Sequence, residues 1–324
     1  MQLILNKTGI KLSIDEGMFK INAGDDLKRI PVTKINSIIL HKSASITTDA
    51  VLTAIENEID VMFMDRVGKP KGRIWSHKYG SISTIRKNQV EFAGSEKGTK
   101  WIIENLKNKM DNQVAILLTL GKADKSTDRT INRVIQKILS IKGKLDKLTY
   151  SSIADVAVKL RGYEGACSKI YFETINAHLP QQYQFDKRSQ HPAFDMFNAM
   201  LNYSYGILYS KVEIALIKAG IDPYLGVFHR NDYNRPVLVY DFIENFRVWA
   251  DYVVINLCMQ QVMFIEFFDV ENHVFYLNQH GKRILIQSFN DYLEEVIKLN
   301  GTDRSREQHI TLLSQKLASQ LKSL

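Results

Sequence analysis

The sequence contains little cysteine and no uninterrupted apolar run long enough to cross a membrane. Cys167 and Cys258 are the two cysteines among 324 residues, and their spacing fits neither a disulfide framework nor a paired-cysteine metal site. The most apolar later stretch, at 252–268, is broken by asparagine, glutamine and glutamate, which favours a buried helix over a membrane span. Since the N-terminus also lacks the apolar core of a signal peptide, we expect a cytoplasmic protein with reduced thiols and no membrane partner.

Phosphate-binding loops and internal repeats are also absent from the sequence. The basic turn at 67–72 lacks the spacing of a P-loop and has no serine or threonine after its Gly-Lys pair, so we interpret it as a solvated turn.

Positive charge is abundant in the sequence: it contains 43 Lys and Arg and 35 Asp and Glu, which gives a formal net charge of +8. A basic balance favours polyanionic partners, above all nucleic acid, and the alternative is that the charge serves only solubility.

Hydrophobic spacing divides the chain into two parts. Over residues 1–80, short apolar runs separated by turn residues predict strands, with one helix at 47–58. From Ile82 onward, apolar residues recur every three or four positions, which predicts helices for the rest of the chain. The small, polar stretch at 93–98 has linker character, so the domain boundary is placed between about residues 80 and 98. The predicted organisation is an α+β fold with a small N-terminal β-rich domain at 1–85, a linker region at 86–98 and a larger all-α domain at 99–324.

Residues 221–249 concentrate side chains that can ligate a metal ion. His229 is followed by a polar turn, and beyond it Asp241, Glu244 and Arg247 are spaced three apart, which predicts that they share one broad face of a helix. Aromatic and aliphatic residues on the other sides would bury that helix and hold its carboxylates rigidly, as a metal site requires. Imidazole with carboxylate suits Mn²⁺, Zn²⁺ or Fe²⁺, and Mg²⁺ where oxygen ligands predominate.

A third ligand is needed to hold such an ion, and Glu164 is the candidate. It lies between Gly162 and Gly165 at the predicted start of an apolar helix, where the glycines would let a backbone or a phosphate approach closely. Taken singly, an acid at a helix start more commonly caps the helix or complements its dipole. The residue chemistry alone therefore indicates a divalent-metal site and leaves separate structural roles for these residues open.

Four motifs appear in order between Arg161 and Trp249. They are a glutamate between glycines in GYEGACSKIYF, an arginine and a proline before an Asn-Tyr-x-Tyr helix, a Gly-x-x-Pro-x-x-Gly-x-x-His turn, and a final Asp-x-x-Glu-x-x-Arg in DFIENFR. Together they resemble the CRISPR-associated spacer-acquisition integrases, the "Cas one" family. The sequence departs from the family pattern after Arg188, where SQHPAFD replaces the more usual doubled proline, and this difference concerns the local substrate channel.

The resemblance implies a function and a set of roles. The matching positions Glu164, His229 and Glu244 are implied to bind the cofactor, Mn²⁺ or Mg²⁺, while Asp241 supports or shares the site. The implied reaction is the strand transfer of CRISPR adaptation, an antiviral defence, in which 3′-hydroxyl ends of short captured double-stranded DNA attack the repeat array. The reverse step would cleave branched DNA. Implied partners are a second copy of the chain, contacted through the N-terminal strands, and the small ferredoxin-like "Cas two" protein.

Several basic residues are candidates for contacting the DNA. The candidates are Arg161, Lys187, Arg188 and Arg247. Lys187 and Arg188 lie between two motif helices, whereas Arg161 precedes Glu164 by three positions and would meet a phosphate or pair with an acid. A basic helical stripe at 129–137 suits a phosphate backbone as well as a solvated helix face.

Three functions are compatible with these residues. A bound metal would offset charge on a transferring phosphoryl group and lower the pKa of an attacking hydroxyl or water, which serves an integrase and a stand-alone structure-specific DNA nuclease equally. The third possibility is a non-catalytic DNA-binding scaffold in which Glu164, His229 and Glu244 only cap and pair. The resemblance, and not the residue chemistry, favours the integrase.

Overall fold

The structure separates into two compact units. The computed structural model describes residues 2–24, 26–35, 37–64, 70–74, 82–121, 125–190, 192–229, 235–299 and 301–324. The units are Met1–Ser83 and Thr84–Leu324. Residues 67–69 of the predicted basic turn, 75–76 of the strand predicted after it and 230–234 of the polar turn after His229 lie outside the described residues.

The N-terminal unit is built mainly from strands. These are β1 Gln2–Leu5, β2 Lys11–Asp15, β3 Met18–Ala23, β4 Asp26–Pro31, β5 Ser37–His41, β6 Ser45–Ile46, β7 Asp60–Met64 and β8 Pro70–Ile74, and the helix is α1 Thr48–Glu56. One sheet has the order β4-β3-β2-β6 and the other the order β1-β5-β7-β8. β2, β3 and β4 form an antiparallel meander, whereas β1, β5 and β7 run parallel and β8 runs antiparallel to β7.

Alternating burial explains why these segments are strands. In β3, Phe19 and Ile21 point into the core while Asn22 is exposed, as the two-residue period of a strand requires. Leu5 and Leu12 join them in one apolar cluster. The predicted β-rich N-terminal region is therefore confirmed.

Helices form most of the larger unit. They are α2 Ile82–Gly94, α3 Glu96–Gly121, α4 Lys125–Leu145, α5 Ile153–His178, α6 Met196–Lys218, α7 Val237–Ile243, α8 Arg247–Met259, α9 Gln279–Glu294 and α10 Arg306–Lys322. Two hairpins accompany them: β9 Phe268–Glu271 pairs with β10 Val274–Leu277, and β11 Val296–Leu299 pairs with β12 Thr302–Ser305. The α+β class is confirmed, but this part is mostly helical rather than all-α.

Helix α6 lies at the centre of the larger unit. It packs against α7, α8, α9 and α10, and buried residues recur around its circumference, including Phe197, Leu208 and Leu216. A helix that is apolar on all sides belongs to the interior. Helix α3 packs against α4, α5, α7 and α8. This arrangement brings α3, α5 and the α7–α8 segment together.

The predicted linker at 86–98 is helical. Its residues belong to α2 and α3, which meet at Ser95. The Ser95 hydroxyl accepts a hydrogen bond from the Gly98 N–H at 3.1 Å and so caps α3. A Cβ on Gly98 would lie only 2.1 Å from the carbonyl oxygen of Phe92. The small and polar residues therefore form a tight junction between two helices, and the two units divide after Ser83, near the start of the predicted boundary range.

The buried helix predicted at 252–268 is shorter than expected. α8 ends at Met259, and Gln261 has a φ of 53°, a left-handed conformation that is common where helices end. The chain then continues into β9. Apolar spacing did not reveal this change because a buried helix and a buried strand are both apolar over short runs.

Candidate active site

Glu164 lies in the interior of α5 rather than at a helix start. The helix begins much earlier, at a capping box formed by Ser152 and Asp155. Gly162 and Gly165 flank the glutamate, and an added Cβ at either position would meet nothing within 4 Å. Packing therefore does not demand these glycines, and their effect is to leave the surface beside Glu164 open to a close-lying group.

Asp241 is buried and organises the segment that carries His229. Its Oδ2 accepts hydrogen bonds from the backbone N–H groups of Val227 at 2.7 Å and Phe228 at 3.0 Å. Its Oδ1 accepts one from the His229 N–H at 3.0 Å and lies 2.7 Å from His229 Nδ1. A Cβ on Gly226 would lie 3.0 Å from Asp241 Oδ2, so glycine lets the loop wrap closely around this carboxylate.

These contacts determine how His229 can act. A carboxylate only accepts hydrogen bonds, so Nδ1 carries the proton that it donates to Asp241, and in the neutral ring Nε2 is the nitrogen left to ligate. Burial lowers the pKa of His229, but the hydrogen bond and charge of Asp241, together with Glu244 and Glu164, outweigh burial and raise it. The geometry gives Asp241 the task of holding and orienting the imidazole.

Glu244 lies at a break between two helices. One continuous helix was predicted through Asp241, Glu244 and Arg247, but α7 ends just before Glu244 and α8 begins at Arg247. The Asn112 side chain on α3 donates a hydrogen bond to the carbonyl oxygen of Asn245 at 3.1 Å. A partner from another helix thus satisfies a carbonyl at the break, which spacing along one segment could not reveal.

Two cations hold the charge of Glu244. The residue is 4% exposed. Its Oε2 lies 2.6 Å from Lys109 Nζ, and its Oε1 accepts a hydrogen bond from Arg247 Nε at 2.7 Å. Burial would raise the pKa of this carboxyl, but Arg247 and Lys109 lower it to about 2. Glu244 is therefore ionised at neutral pH although it is almost sealed from water.

Lys109 is the residue of this site that the sequence interpretation missed. Its Nζ donates a hydrogen bond to Glu164 Oε1 at 2.6 Å while also contacting Glu244. Burial would lower the pKa of Lys109, but the charges of Glu244 and Glu164 outweigh it and raise the pKa. A signal was present in α3: Asn105, Lys109 and Gln113 recur every four residues and are all buried. Polar residues repeated at helical spacing beside an apolar stripe indicate a buried polar site.

Arg247 belongs to a buried aromatic network. Its Nη2 donates a hydrogen bond to the Tyr209 hydroxyl at 2.7 Å, and its guanidinium lies 4.8 Å from the ring centroid of Tyr205. The Tyr205 hydroxyl donates to Asp251 Oδ1 at 2.6 Å, and the Tyr171 hydroxyl donates to Asp251 Oδ2 at 2.9 Å. Burial raises the pKa of Asp251. This network fixes Arg247 beside Glu244.

A pocket of about 570 Å³ brings most of the predicted site together. Among its lining residues are Lys109, Glu164, Lys187, Arg188, His229, Glu244 and Arg247. Asp241 contacts the Nδ1 side of His229 and does not line the pocket. Arg161 is exposed, with its guanidinium 5.7 Å from the ring centroid of Phe228, beside His229.

The basic residues predicted to contact DNA differ in their exposure and in their hydrogen bonds within the protein. Lys187 is exposed at the pocket. Arg188 is partly buried: its Nη1 donates to the Ser189 carbonyl at 2.9 Å and its Nη2 donates to Asn202 Oδ1 at 2.8 Å. Arg188 therefore ties its own loop to α6. In the stripe at 129–137, the basic side chains of α4 are exposed.

Among the described residues, none of the helices is both long and apolar enough for a membrane span.

The donor atoms suit a divalent ion in type, although a lysine lies among them. Two carboxylates and an imidazole oriented through its other nitrogen form a mixed oxygen and nitrogen set, which Mn²⁺ accepts. Glu244 Oε2 is buried and receives no well-directed hydrogen bond, and its partner at 2.6 Å is a cation, the ammonium of Lys109, so this oxygen is suited to a positive charge. Within the described ranges, no three His, Cys, Asp or Glu side chains form a metal-binding group, and the ammonium of Lys109 lies 2.6 Å from an oxygen of each of Glu164 and Glu244.

Comparison with known proteins identifies the family. The model of a family described as CRISPR associated protein Cas1 matches residues 3–291. The chain belongs to the Cas1 family. A curated relative, "CRISPR-associated endonuclease Cas1 1" of Archaeoglobus fulgidus, is 30% identical over 324 aligned residues, which cover 96% of this chain and 94% of the relative. The predicted family is thereby confirmed.

Solved structures share the Cas1 fold of this chain. A chain of a casposase bound to integration product matches with a TM-score of 0.73 and 23% identity, covering 99% of this chain and 95% of that one. A chain of a partial Cas6-RT-Cas1–Cas2 complex matches with a TM-score of 0.74 and 19% identity, covering 100% and 96%. At these identities the likeness concerns the fold, and it extends over the whole chain.

Proposed function

We propose that this Cas1 protein is a divalent-metal-dependent DNA integrase and endonuclease of CRISPR adaptation. It joins the 3′-hydroxyl ends of short captured DNA to the repeat array by transesterification. The observation that carries the proposal is the convergence of Glu164, His229 and Glu244 on one pocket, in a chain of this family. The names of its relatives, an endonuclease at 30% identity and a casposase bound to integration product, support the same chemistry.

The candidate ligands and the two residues that hold them each have a task in this proposal. Glu164, His229 and Glu244 would hold Mn²⁺ or Mg²⁺, which when bound would offset charge on the phosphoryl group and activate the attacking hydroxyl or water. Asp241 fixes the ring of His229 through Nδ1. Arg247 keeps Glu244 ionised.

Basic side chains around the pocket would receive the DNA backbone. Lys187 offers an exposed ammonium at the pocket, and Arg161 lies exposed beside Phe228. Exposed cations of this kind contribute affinity by releasing counterions from the phosphates. Arg188 and Arg247 have folding partners of their own, so they would contact a phosphate only with the donors that remain.

The proposed assembly includes DNA and protein partners. Double-stranded captured DNA and the repeat array are the substrates, and a small ferredoxin-like Cas2 protein is the adaptation partner, as the Cas1–Cas2 complex among the similar structures suggests. We also propose a homodimer formed through the N-terminal strands, acting in the cytoplasm.

A joining assay tests the function. DNA with free 3′-hydroxyl ends is incubated with a repeat-containing target and Mn²⁺, and joined strands are measured. Glu164→Ala, His229→Ala and Glu244→Ala should each abolish joining, because each removes a donor atom from the pocket. Glu294→Ala, an exposed acid of α9, is the matched control and should leave joining unchanged.

The same assay separates the alternative functions. A stand-alone nuclease, which the endonuclease name of the relative favours, would cut branched DNA without joining free ends. A non-catalytic scaffold would do neither and would bind no ion that is lost in Glu164→Ala. Retained joining in any two of the three variants, with circular dichroism and DNA affinity unchanged, would refute the assignment.

A further inference from the structure

Lys109 contacts both carboxylates proposed to hold the metal. Its Nζ lies 2.6 Å from Glu164 Oε1 and 2.6 Å from Glu244 Oε2. The three residues come from α3, from α5 and from the break between α7 and α8, so the contact closes only in the folded unit. Lys109 is 9% exposed and lines the pocket.

An ammonium in this position excludes a metal ion from the same oxygens. A small divalent ion such as Mg²⁺ binds its oxygen ligands at roughly 2.0–2.1 Å. A dication at that distance from both oxygens would be in repulsive contact with an ammonium nitrogen that stays in place. For an ion to bind both Glu164 and Glu244, Nζ must move away.

A nearby acceptor can receive the displaced ammonium. Gln113 follows Lys109 by one helical turn on α3, lines the same pocket and is 4% exposed. Its Oε1 is buried and has no hydrogen-bond partner in the part of the chain that the structure describes. A buried carbonyl oxygen without a hydrogen-bond donor destabilises the folded state, so Gln113 Oε1 would gain from a new donor. The flexible four-carbon stem of Lys109 allows its Nζ to reach along the helix towards that oxygen.

We propose that Lys109 is a built-in competitor of the divalent ion. Its ammonium neutralises Glu164 and Glu244 when the ion is absent, and it shifts towards Gln113 Oε1 when the ion binds. Lys109 thereby lowers the affinity for the ion while stabilising the metal-free site. This inference rests on the proposed function, because it assumes that the two carboxylates are metal ligands.

Calorimetric titration of the metal-free full chain with Mn²⁺ tests the proposal without an activity readout. Lys109→Met removes the charge and keeps the side-chain length, so Mn²⁺ should bind at least about tenfold more tightly. Without metal, the variant should melt at a lower temperature, because two carboxylates lose their shared cation. Lys107→Met is the matched control: Lys107 lies on the same helix and pairs with Glu104 and Asp146 outside the pocket. It should leave Mn²⁺ affinity unchanged.

A second variant keeps the test independent of how well Lys109→Met folds. Gln113→Leu preserves the size of the side chain and removes the acceptor, so Mn²⁺ should bind several-fold more weakly to the otherwise wild-type chain. In a chain that also carries Lys109→Met, the same change should have no effect on affinity, since no ammonium then needs a new partner.

The outcomes separate this inference from the function on which it rests. If the wild type binds Mn²⁺, Glu164→Ala abolishes binding, and Lys109→Met binds no more tightly than the wild type, the competition is refuted while the metal site stands. An unchanged affinity in Gln113→Leu would likewise refute the shift of Lys109. If neither the wild type nor Lys109→Met binds Mn²⁺, both the competition and the metal-dependent function fail.

Discussion

Each of the two units contains a carboxylate held by one lysine and one arginine. In the N-terminal unit, Asp15 lies 3.2 Å from Lys20 Nζ and 2.6 Å from Arg29 Nη2. In the helical unit, the corresponding distances for Glu244 are 2.6 Å to Lys109 Nζ and 2.7 Å to Arg247 Nε. The side chains of the two carboxylates differ in exposure, 30% for Asp15 and 4% for Glu244.

Burial makes these similar ion pairs physically different. Water screens the charges of the exposed cluster, so its members contribute little and are readily replaced. Water cannot compensate a charge in the buried cluster, so removal of one partner leaves an unpaired ion in a poor solvent. The buried cluster also contains a second carboxylate, Glu164, which shares Lys109 with Glu244. Of these two clusters, only the buried one should therefore lose much stability when one charged partner is removed. Its charges should also interact more strongly with a bound ligand, because water screens them less.

The largest expected effect comes from removing the buried arginine. Arg247→Met should destabilise the helical unit by about 3–5 kcal/mol, because Glu244 loses its hydrogen-bonded cation and the Tyr209 hydroxyl loses its donor. Amide hydrogen exchange of peptides from α7 and α8 measures this loss locally. Exchange as slow as in the wild type would show that burial does not distinguish the two clusters.

An intermediate effect is expected from acid. The pKa of Glu244 is lowered from 4.5 to about 2, so its contribution to stability is present above about pH 4.5 and is lost as the pH falls through about 2. Glu244→Gln has no carboxyl to protonate and should lose less stability over that window than the wild type. Urea unfolding at a series of acidic pH values, followed by circular dichroism, measures the difference. Equal acid sensitivity of the two proteins would contradict the lowered pKa.

The smallest expected effect comes from the exposed cluster. Arg29 lowers the pKa of Asp15 more than Lys20 does, yet both partners are accessible to water. Arg29→Met should therefore leave hydrogen exchange in β2, β3 and β4 close to that of the wild type, within the scatter of ordinary surface substitutions. If Arg29→Met accelerated hydrogen exchange as much as Arg247→Met does, exposure to water would not distinguish the two clusters.

Local patterns in the sequence predicted most of the elements. The alternation in β3 and the spacing in α4 follow from which face of one segment is buried, and that information is contained in the segment itself. Motif order similarly selected Glu164, His229 and Glu244, and the structure places all three on one pocket. Their roles as metal ligands remain predictions that the joining and calorimetric experiments test.

Features that depend on contacts between different segments of the chain were not predicted from the sequence. The break at Glu244 depends on Asn112 from α3, and the junction at Ser95 depends on how closely Gly98 approaches Phe92. Both involve partners on different helices, which periodicity within one helix cannot identify. The spacing of Lys109 with Asn105 and Gln113 marks a polar face of α3, but the two carboxylates that Lys109 contacts come from other segments, so the spacing could not assign it a role.

By itself, the sequence determined the family, the change from strands to helices and the chemical types of the candidate ligands, because these depend on local pattern and motif. The tertiary structure alone decided that the ammonium of Lys109 lies between Glu164 and Glu244 and that Asp241 holds the imidazole of His229. The physical reason is that burial and proximity set the strength of a charge interaction, and both arise only when distant segments pack together.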